Sequence, residues 1–206
     1  MLINNNKNRM VEVAFLLSVK HGFDNVSIKQ IQEEANVSAG AIYYHFKDKN
    51  DILVCMVNRY IKDEINVFKK NLNDYEGSLF EKLRFILCHY TGEMIDNEDY
   101  SIALSNNDRI DHLEYNLFLL GIYHQHPELR PIFHEINKEM LDIYKEFVEE
   151  LKDSNQIRKD VDTEEVAIYI STTAAGFVKL WTGFPDIPLG KFVDSNVKMI
   201  CNSIGA

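Results

Sequence analysis

Apolar residues recur along the chain at three- and four-residue intervals, and nowhere do they alternate long enough to build a strand. Met10, Val13, Ala14 and Leu17 form an i, i+3, i+4, i+7 stripe that predicts a helix over 8–21, stopped by Gly22. Ser27-Ile28-Lys29-Gln30 has the spacing of a capping box, so a short helix is expected over 27–35, with Ile28, Ile31 and Ala35 turned inward. Asn36-Val37 breaks it, and Ser38 is placed to cap a third helix over 38–46. Asp48 opens a longer one in which Ile52, Leu53, Met56, Tyr60, Ile65 and Phe68 repeat at helical spacing to residue 72.

The remainder continues in the same period. Ser78 to Glu81 is a second capping box, followed by the stripe Leu79, Leu83, Ile86 or Leu87, Tyr90 and Met94. The polar stretch 97–107 reads as a loop with a short helix. Ile110, Leu113, Leu117, Leu120 and His124 mark a further helix, ended by Pro127. A strongly amphipathic helix is expected over 128–152. The next, over 163–184, is apolar nearly all round, which implies burial on more than one side. Pro185 and Pro188 end it, and a last helix covers 191–204. The expected class is all-α, with a three-helix N-terminal domain over 1–47 and a larger helical domain over 48–206.

Composition adds three points. No apolar run approaches the ~18 residues of a membrane span, and the opening MLINNNKNRM has no apolar stretch of a secretory signal, so a cytoplasmic location and no membrane partner are expected. The cysteines Cys55, Cys88 and Cys201 are far apart in apolar surroundings and read as buried reduced thiols. The net charge of −10 is uneven. Residues 1–60 hold seven basic and six acidic side chains, and the rest hold 15 and 26. A polyanion would be met by the near-neutral head and repelled by the acidic body.

The chemistry concentrates in residues 27–46, SIKQIQEEANVSAGAIYYHF. Two short capped helices are separated by a three-residue turn, which is helix-turn-helix anatomy, with the second helix shaped for a DNA major groove. Ser38, Ala39 and Gly40 are small and allow close backbone approach, while Tyr43, Tyr44 and His45 supply donors beside them and Lys47 and Lys49 follow.

In these residues the chain resembles the TetR family of bacterial transcriptional regulators. Ala14, Gly22-Phe23, Ser27, Ile31, Ala35-Asn36-Val37-Ser38, Gly40, Ile42-Tyr43-Tyr44-His45-Phe46 and Lys49…Ile52 occupy the positions of the family's N-terminal pattern over about residues 9–55. Three positions depart from it: Ser18 stands where a core Phe is usual, Val26 replaces a Thr, and Ala39 replaces a common Lys or Arg. By residue type, Ser27, Lys29, Tyr43, His45 and Lys49 are candidate phosphate contacts. Ser38, Ala39, Gly40 and Tyr44 are candidates for the groove floor, where Ala39 would meet a thymine methyl.

The resemblance further implies a regulator, expected to be a repressor and not an enzyme, that binds a pseudo-palindromic double-stranded DNA operator as a homodimer. The dimer would form through the helices over about 128–152 and 163–184, whose apolar surface exceeds what one neighbour covers. A small-molecule effector, apolar or cationic, would bind in the body and release the DNA. Phe85, His89, Tyr115, Leu119, Tyr123 and Tyr144, with Phe177 and Trp181, are candidates for its lining, although for any single one of them ordinary core packing is the stronger reading. Two other readings stand beside this one. A helical metalloprotein is motivated by His89, His112, His124, His126 and His134, but these lack i, i+3 or i+4 pairing, so neither a metal nor any other cofactor is expected. A DNA-binding protein without an effector keeps the head and drops the switch.

Overall fold

The computed structural model describes residues 2–89, 110, 112–184 and 186–205, with side chains described from residue 6 and excepting 112–113 and 177–182. The stretch expected as loop and short helix, 97–107, lies outside them, as do Tyr90, Met94 and the side chain of Leu113. Among the described residues ten α-helices follow in chain order: α1 Leu2–His21, α2 Ile28–Ala35, α3 Ala39–His45, α4 Lys49–Val57, α5 Asp63–Asp74, α6 Leu79–His89, α7 His112–Gln125, α8 Arg130–Asp153, α9 Thr163–Thr182 and α10 Leu189–Ile204. No strand forms among the described residues; Ile157 and Gly205 make a single antiparallel bridge. The chain is all-α, with an N-terminal helix-turn-helix followed by a larger helical part.

The caps act as read from the sequence. Ser27, Ser38 and Asp48 each accept a backbone N–H of the following turn, and Asp162 does the same from Glu165 at the start of α9. The helix faces are less well matched. α1 buries Met10, Val11, Ala14, Phe15 and Ser18, while Val13 and Leu17 are half-buried. Its helix also begins at Leu2 rather than at residue 8, because a turn joined to a buried helix propagates through weak formers such as asparagine. Ser18 fits the core by donating its hydroxyl to the Ala14 carbonyl at 2.5 Å, which removes the cost of an unpaired polar group. Val26 is core as well. Cys88 is buried, but Cys55 and Cys201 are only half-buried, which corrects the expectation that all three thiols lie inside.

The described residues of Met1–Glu64 and Ile102–Phe133 make one compact unit. In it α1 is central: α2, α3, α4 and α7 all pack on it. Compactness thus follows a different line from the division expected at residue 47. Gly22 turns the chain out of α1 with φ +78°, a conformation that L side chains rarely adopt, and the 3-10 turn Phe23–Asn25 follows. Between α4 and α5 lies a π-helical turn, Asn58–Lys62, inside what the sequence presents as one regular helix. Phe15 stacks on Tyr60 of this turn with centroids 4.1 Å apart and planes at 7°, and Tyr115 and Phe118 of α7 meet Phe15 edge-on. The Tyr115 hydroxyl donates to the Tyr60 carbonyl at 3.0 Å. Burial pushes the Tyr115 phenol above its ordinary range, so it stays a donor.

That bond brings a side-chain donor from α7 to a carbonyl of the π-helical turn. Tyr115→Phe, which keeps the ring and removes the donor, is expected to cost about 1–2 kcal/mol. Thermal unfolding followed by circular dichroism checks it, and a melting point unchanged within about 1 °C would show that the hydroxyl is not needed.

The described residues of Ile65–Ser101 and His134–Ala206 make the second unit. α10 packs on α6 and on α9. Leu83, Ile86, Tyr144, Val148, Ile170, Val193, Val197 and Ile200 are fully or almost fully buried in it. Lys145 reaches Glu164 at 2.6 Å, and Lys152 reaches Thr163 at 2.6 Å, fastening α8 to the first turn of α9. Arg158 donates from its backbone to the Ile204 carbonyl and from its side chain to the Ser203 carbonyl, which ties the turn after α8 to the end of α10.

Candidate nucleic-acid interface

α2 and α3 are short, and neither would persist alone in water. They hold because Ile31, Ala35 and Ile42 are buried against α1 and each other. The turn between them depends on Asn36, in the left-handed region at φ 50° and ψ 52°, where asparagine is tolerated. Its N–H returns to the carbonyls of Gln32 and Glu33, which closes α2. Ser38 then starts α3 by accepting the Ala41 N–H at 3.3 Å.

α3 divides its residues by face. Ile42 is 1% exposed and the following Phe46 3%, whereas Tyr43 is 64% and Tyr44 73% exposed. Residues 39, 40, 43 and 44 share the outer side at 100° per residue, and all four are exposed. A Cβ added at Gly40 would meet nothing within 4 Å. Seven residues make a rod about 10 Å long, which suits a major groove ~12 Å wide. His45 is half-buried and lies edge-on to Tyr44, with centroids 4.9 Å apart. Lys47 is exposed just beyond.

The candidate phosphate contacts are not equally available. Ser27 is exposed, but its hydroxyl accepts the Gln30 N–H and donates to Gln30 Oε1 at 2.8 Å, completing the capping box. Lys29 is exposed with only a 3.7 Å pair to Glu33, which an exposed helix pair holds weakly. Lys49 is turned back into the fold. Its ammonium lies 4.3 Å from the Phe23 ring centroid and donates to the Asp24 carbonyl at 3.2 Å. Burial holds it below the usual lysine range, partly offset by the Asp24 carboxylate. Lys7 of α1 stands 5.6 Å from the Phe46 ring centroid, which adds a cation at this end of the head that the sequence reading passed over.

The candidate effector residues do not form one group. Phe85, His89 and Tyr144 gather around Phe68 in the second unit, with ring centroids 6.0, 4.5 and 6.2 Å from it. Tyr115 belongs to the first unit, where its hydroxyl serves the π-helical turn. Leu119 is half-buried there. Tyr123 is on the surface, beneath the Arg130 guanidinium at 5.3 Å, so it does not line an interior. The side chains of Phe177 and Trp181 lie outside the described residues. The expected α7 stripe is turned over as well: Leu117, Leu120 and His124 face out, while Phe118 and Ile122 are inside. α7 is apolar on all sides, so period alone did not mark its inner face. Among the described residues no three His, Cys, Asp or Glu side chains converge as a metal site.

One corner is built on a histidine that the sequence offered only as a metal candidate. His126, just after α7, is 9% exposed and lies edge-on to Phe23, with centroids 5.5 Å apart. Its Nδ1 is 3.2 Å from Glu128 and its Nε2 3.4 Å from Asp24. No local pattern signals this contact, because the partners are far apart in the chain.

The family model of bacterial regulatory proteins of the tetR family matches residues 11–55, which contain most of α1 and all of α2 and α3. An HTH-type transcriptional regulator of Staphylococcus aureus strain bovine RF122 / ET3-1 is 31% identical over 104 residues, 50% of this chain and 56% of that protein. The chain thus spans about half the length of the curated relatives it matches. In fold, a TetR-family regulator from Cytophaga hutchinsonii superposes with a TM-score of 0.76 over 100% of this chain and 98% of that one, at 14% identity. A putative transcriptional regulator from Saccharomonospora viridis, solved in complex with choline, gives 0.76 over 98% and 99%, at 18% identity. The motif, its capped geometry and the family match fall on the same residues, so over 11–55 the chain is similar to bacterial regulatory proteins of the tetR family.

Proposed function

We propose that this protein is a dimeric transcriptional repressor that inserts α3 into the major groove of a pseudo-palindromic operator and is released by a small molecule. The observation that carries the reading is the outer face of α3, where Tyr43 and Tyr44 are exposed beside Ala39 and Gly40 while Ile42 and Phe46 anchor the helix beneath. Residues 1–47 act as the DNA-binding domain and 48–206 as the effector-binding and dimerisation domain. Ser38, Ala39, Gly40 and Tyr44 meet the groove floor. Tyr43, His45, Lys29 and Lys47 position the head on phosphates, with Ser27 and Lys49 contributing chiefly through the fold. Two heads roughly 34–36 Å apart would read one turn of DNA.

The dimer forms through α8 and α9. Ile168 and Tyr169 are exposed on the face of α9 that also presents Thr172, Ala175 and Gly176, and a second copy would cover that apolar strip. The aromatic group around Phe68 is where an apolar or cationic effector would bind, and the choline complex of the Saccharomonospora viridis protein favours the cationic class. No described helix is long and apolar enough to cross a membrane, and the protein acts in the cytoplasm, on DNA.

A gel-shift series with DNA flanking the protein's own coding region tests the reading. Specific binding should weaken steeply as salt rises, because phosphates are being neutralised. Tyr43→Ala should weaken binding to specific and random duplex alike, whereas Tyr44→Ala should relax sequence preference, by about 1–3 kcal/mol in the specific complex. Sequence-blind binding at moderate salt by the unaltered protein counts against the proposal, and an unchanged preference in Tyr44→Ala removes that residue from base reading.

A further inference from the structure

The Phe23–Asn25 turn lies between α1 and the helix-turn-helix, and two side chains grip it. From α4, Lys49 covers the Phe23 ring and bonds the Asp24 carbonyl. From beyond α7, His126 meets the same ring edge-on and places its two nitrogens against two carboxylates. The backbone fixes where this imidazole sits: the His126 N–H donates to the Ile122 carbonyl, and the His126 carbonyl accepts from Leu129. The ring has little room to leave.

Its polar atoms are incompletely paired. Nε2 is buried, makes no hydrogen bond and stops 3.4 Å short of Asp24 Oδ1. A neutral imidazole has one N–H and so can donate to only one of the two carboxylates; the charged form donates from both nitrogens. The charged groups around it are Asp24 on the turn, Glu128 on the 3-10 turn Pro127–Leu129, Lys49 from α4, and Arg130 at the start of α8. Arg130 is turned away onto the carbonyls of Tyr123 and His124, and Lys49 is held on Asp24, so the two carboxylates are the groups that face the ring. Glu128 is held below the usual carboxylate range, first by its own backbone N–H and also by the His126 ring.

We propose that His126 is a positioning residue that works as a proton-operated latch: protonated, it donates to Asp24 and Glu128 together and fastens the turn that aims the helix-turn-helix, and neutral, it releases one of them. A fastened head enters the groove with less ordering left to do, so the latch couples acidity to DNA affinity. The coupling rests on the nucleic-acid reading above; the latch itself does not.

The experiment uses the full chain, the variants H126Q and D24N, and the double variant. Asp24 is solvent-facing and D24N keeps its shape, so at least one arm of the cycle folds even if H126Q is unstable. Melting temperatures from about pH 5.5 to 8 give the coupling between the two positions. It should be larger at the acid end, by about 2–4 °C in the interaction term. A coupling that is the same at both ends overturns the latch. In parallel, affinity for specific duplex should rise about fivefold more on acidification in the wild type than in H126Q. An equal pH response in both proteins overturns the link to DNA. Absence of specific binding at every pH instead defeats the nucleic-acid reading, and the thermal cycle then decides the latch alone.

Discussion

Gly40→Leu is expected to weaken specific DNA binding roughly 10- to 100-fold while the melting temperature stays at or above that of the wild type. Glycine inside a helix is destabilising by about 0.5–1 kcal/mol relative to alanine. Here its backbone is ordinary, since Gly22 is the glycine with positive φ among the described residues. A side chain at residue 40 would enter open space. Nothing inside the protein therefore explains the glycine, and a larger residue should help the helix. What it would obstruct, on the proposed function, is the approach of the N-terminal turn of α3 to the groove floor, where backbone N–H groups and small side chains would meet bases and phosphate. Fluorescence anisotropy with operator duplex, set beside a thermal melt, separates the two effects. An unaltered dissociation constant would mean that α3 does not enter DNA by this end.

Phe15→Ala is the substitution expected to harm the fold most, by about 3–5 kcal/mol. The ring is fully buried, lies flat on Tyr60 and is closed in by the edges of Tyr115 and Phe118. Its loss opens a cavity whose walls are held by helices on three sides, so collapse is limited. Stacked and edge-on contacts are lost together with the buried area. A fall of roughly 6–20 °C in Tm follows for a chain of this size. Phe15→Leu, which refills part of the space, should recover much of it. A loss under about 1 kcal/mol in a denaturant titration would show that the aromatic group is not a keystone of the first unit.

What could be read in advance was what the chain decides locally. Ser27, Ser38, Asp48 and Asp162 cap helices because an oxygen two or three residues ahead of a free N–H is a matter of short spacing. The outer face of α3 was legible for a similar reason, since Ile42 and Phe46 contrast with small and polar neighbours. The inner faces of α1 and α7 were not, because both helices carry apolar residues on more than one side and only the neighbour selects which of them is buried. The sequence shows Val13 and Leu17 as plainly as Val11 and Phe15. The π-helical turn and the His126 corner were out of reach altogether. Each depends on a polar atom delivered from a distant part of the chain, the Tyr115 hydroxyl in one case and the Asp24 carboxylate in the other. The aromatic residues that seemed one lining were separated for the same cause: shared composition does not place Tyr144 and Tyr115 in the same unit.

The glycine corner at residue 22 restricts how this protein can change over time. With φ at +78°, nearly every substitution there is strained, so the joint offers selection no side chain to vary. Descendants that need their reading helix tilted differently must reach that through the two clasps on the following turn, Lys49 and His126, which leave the hinge itself untouched.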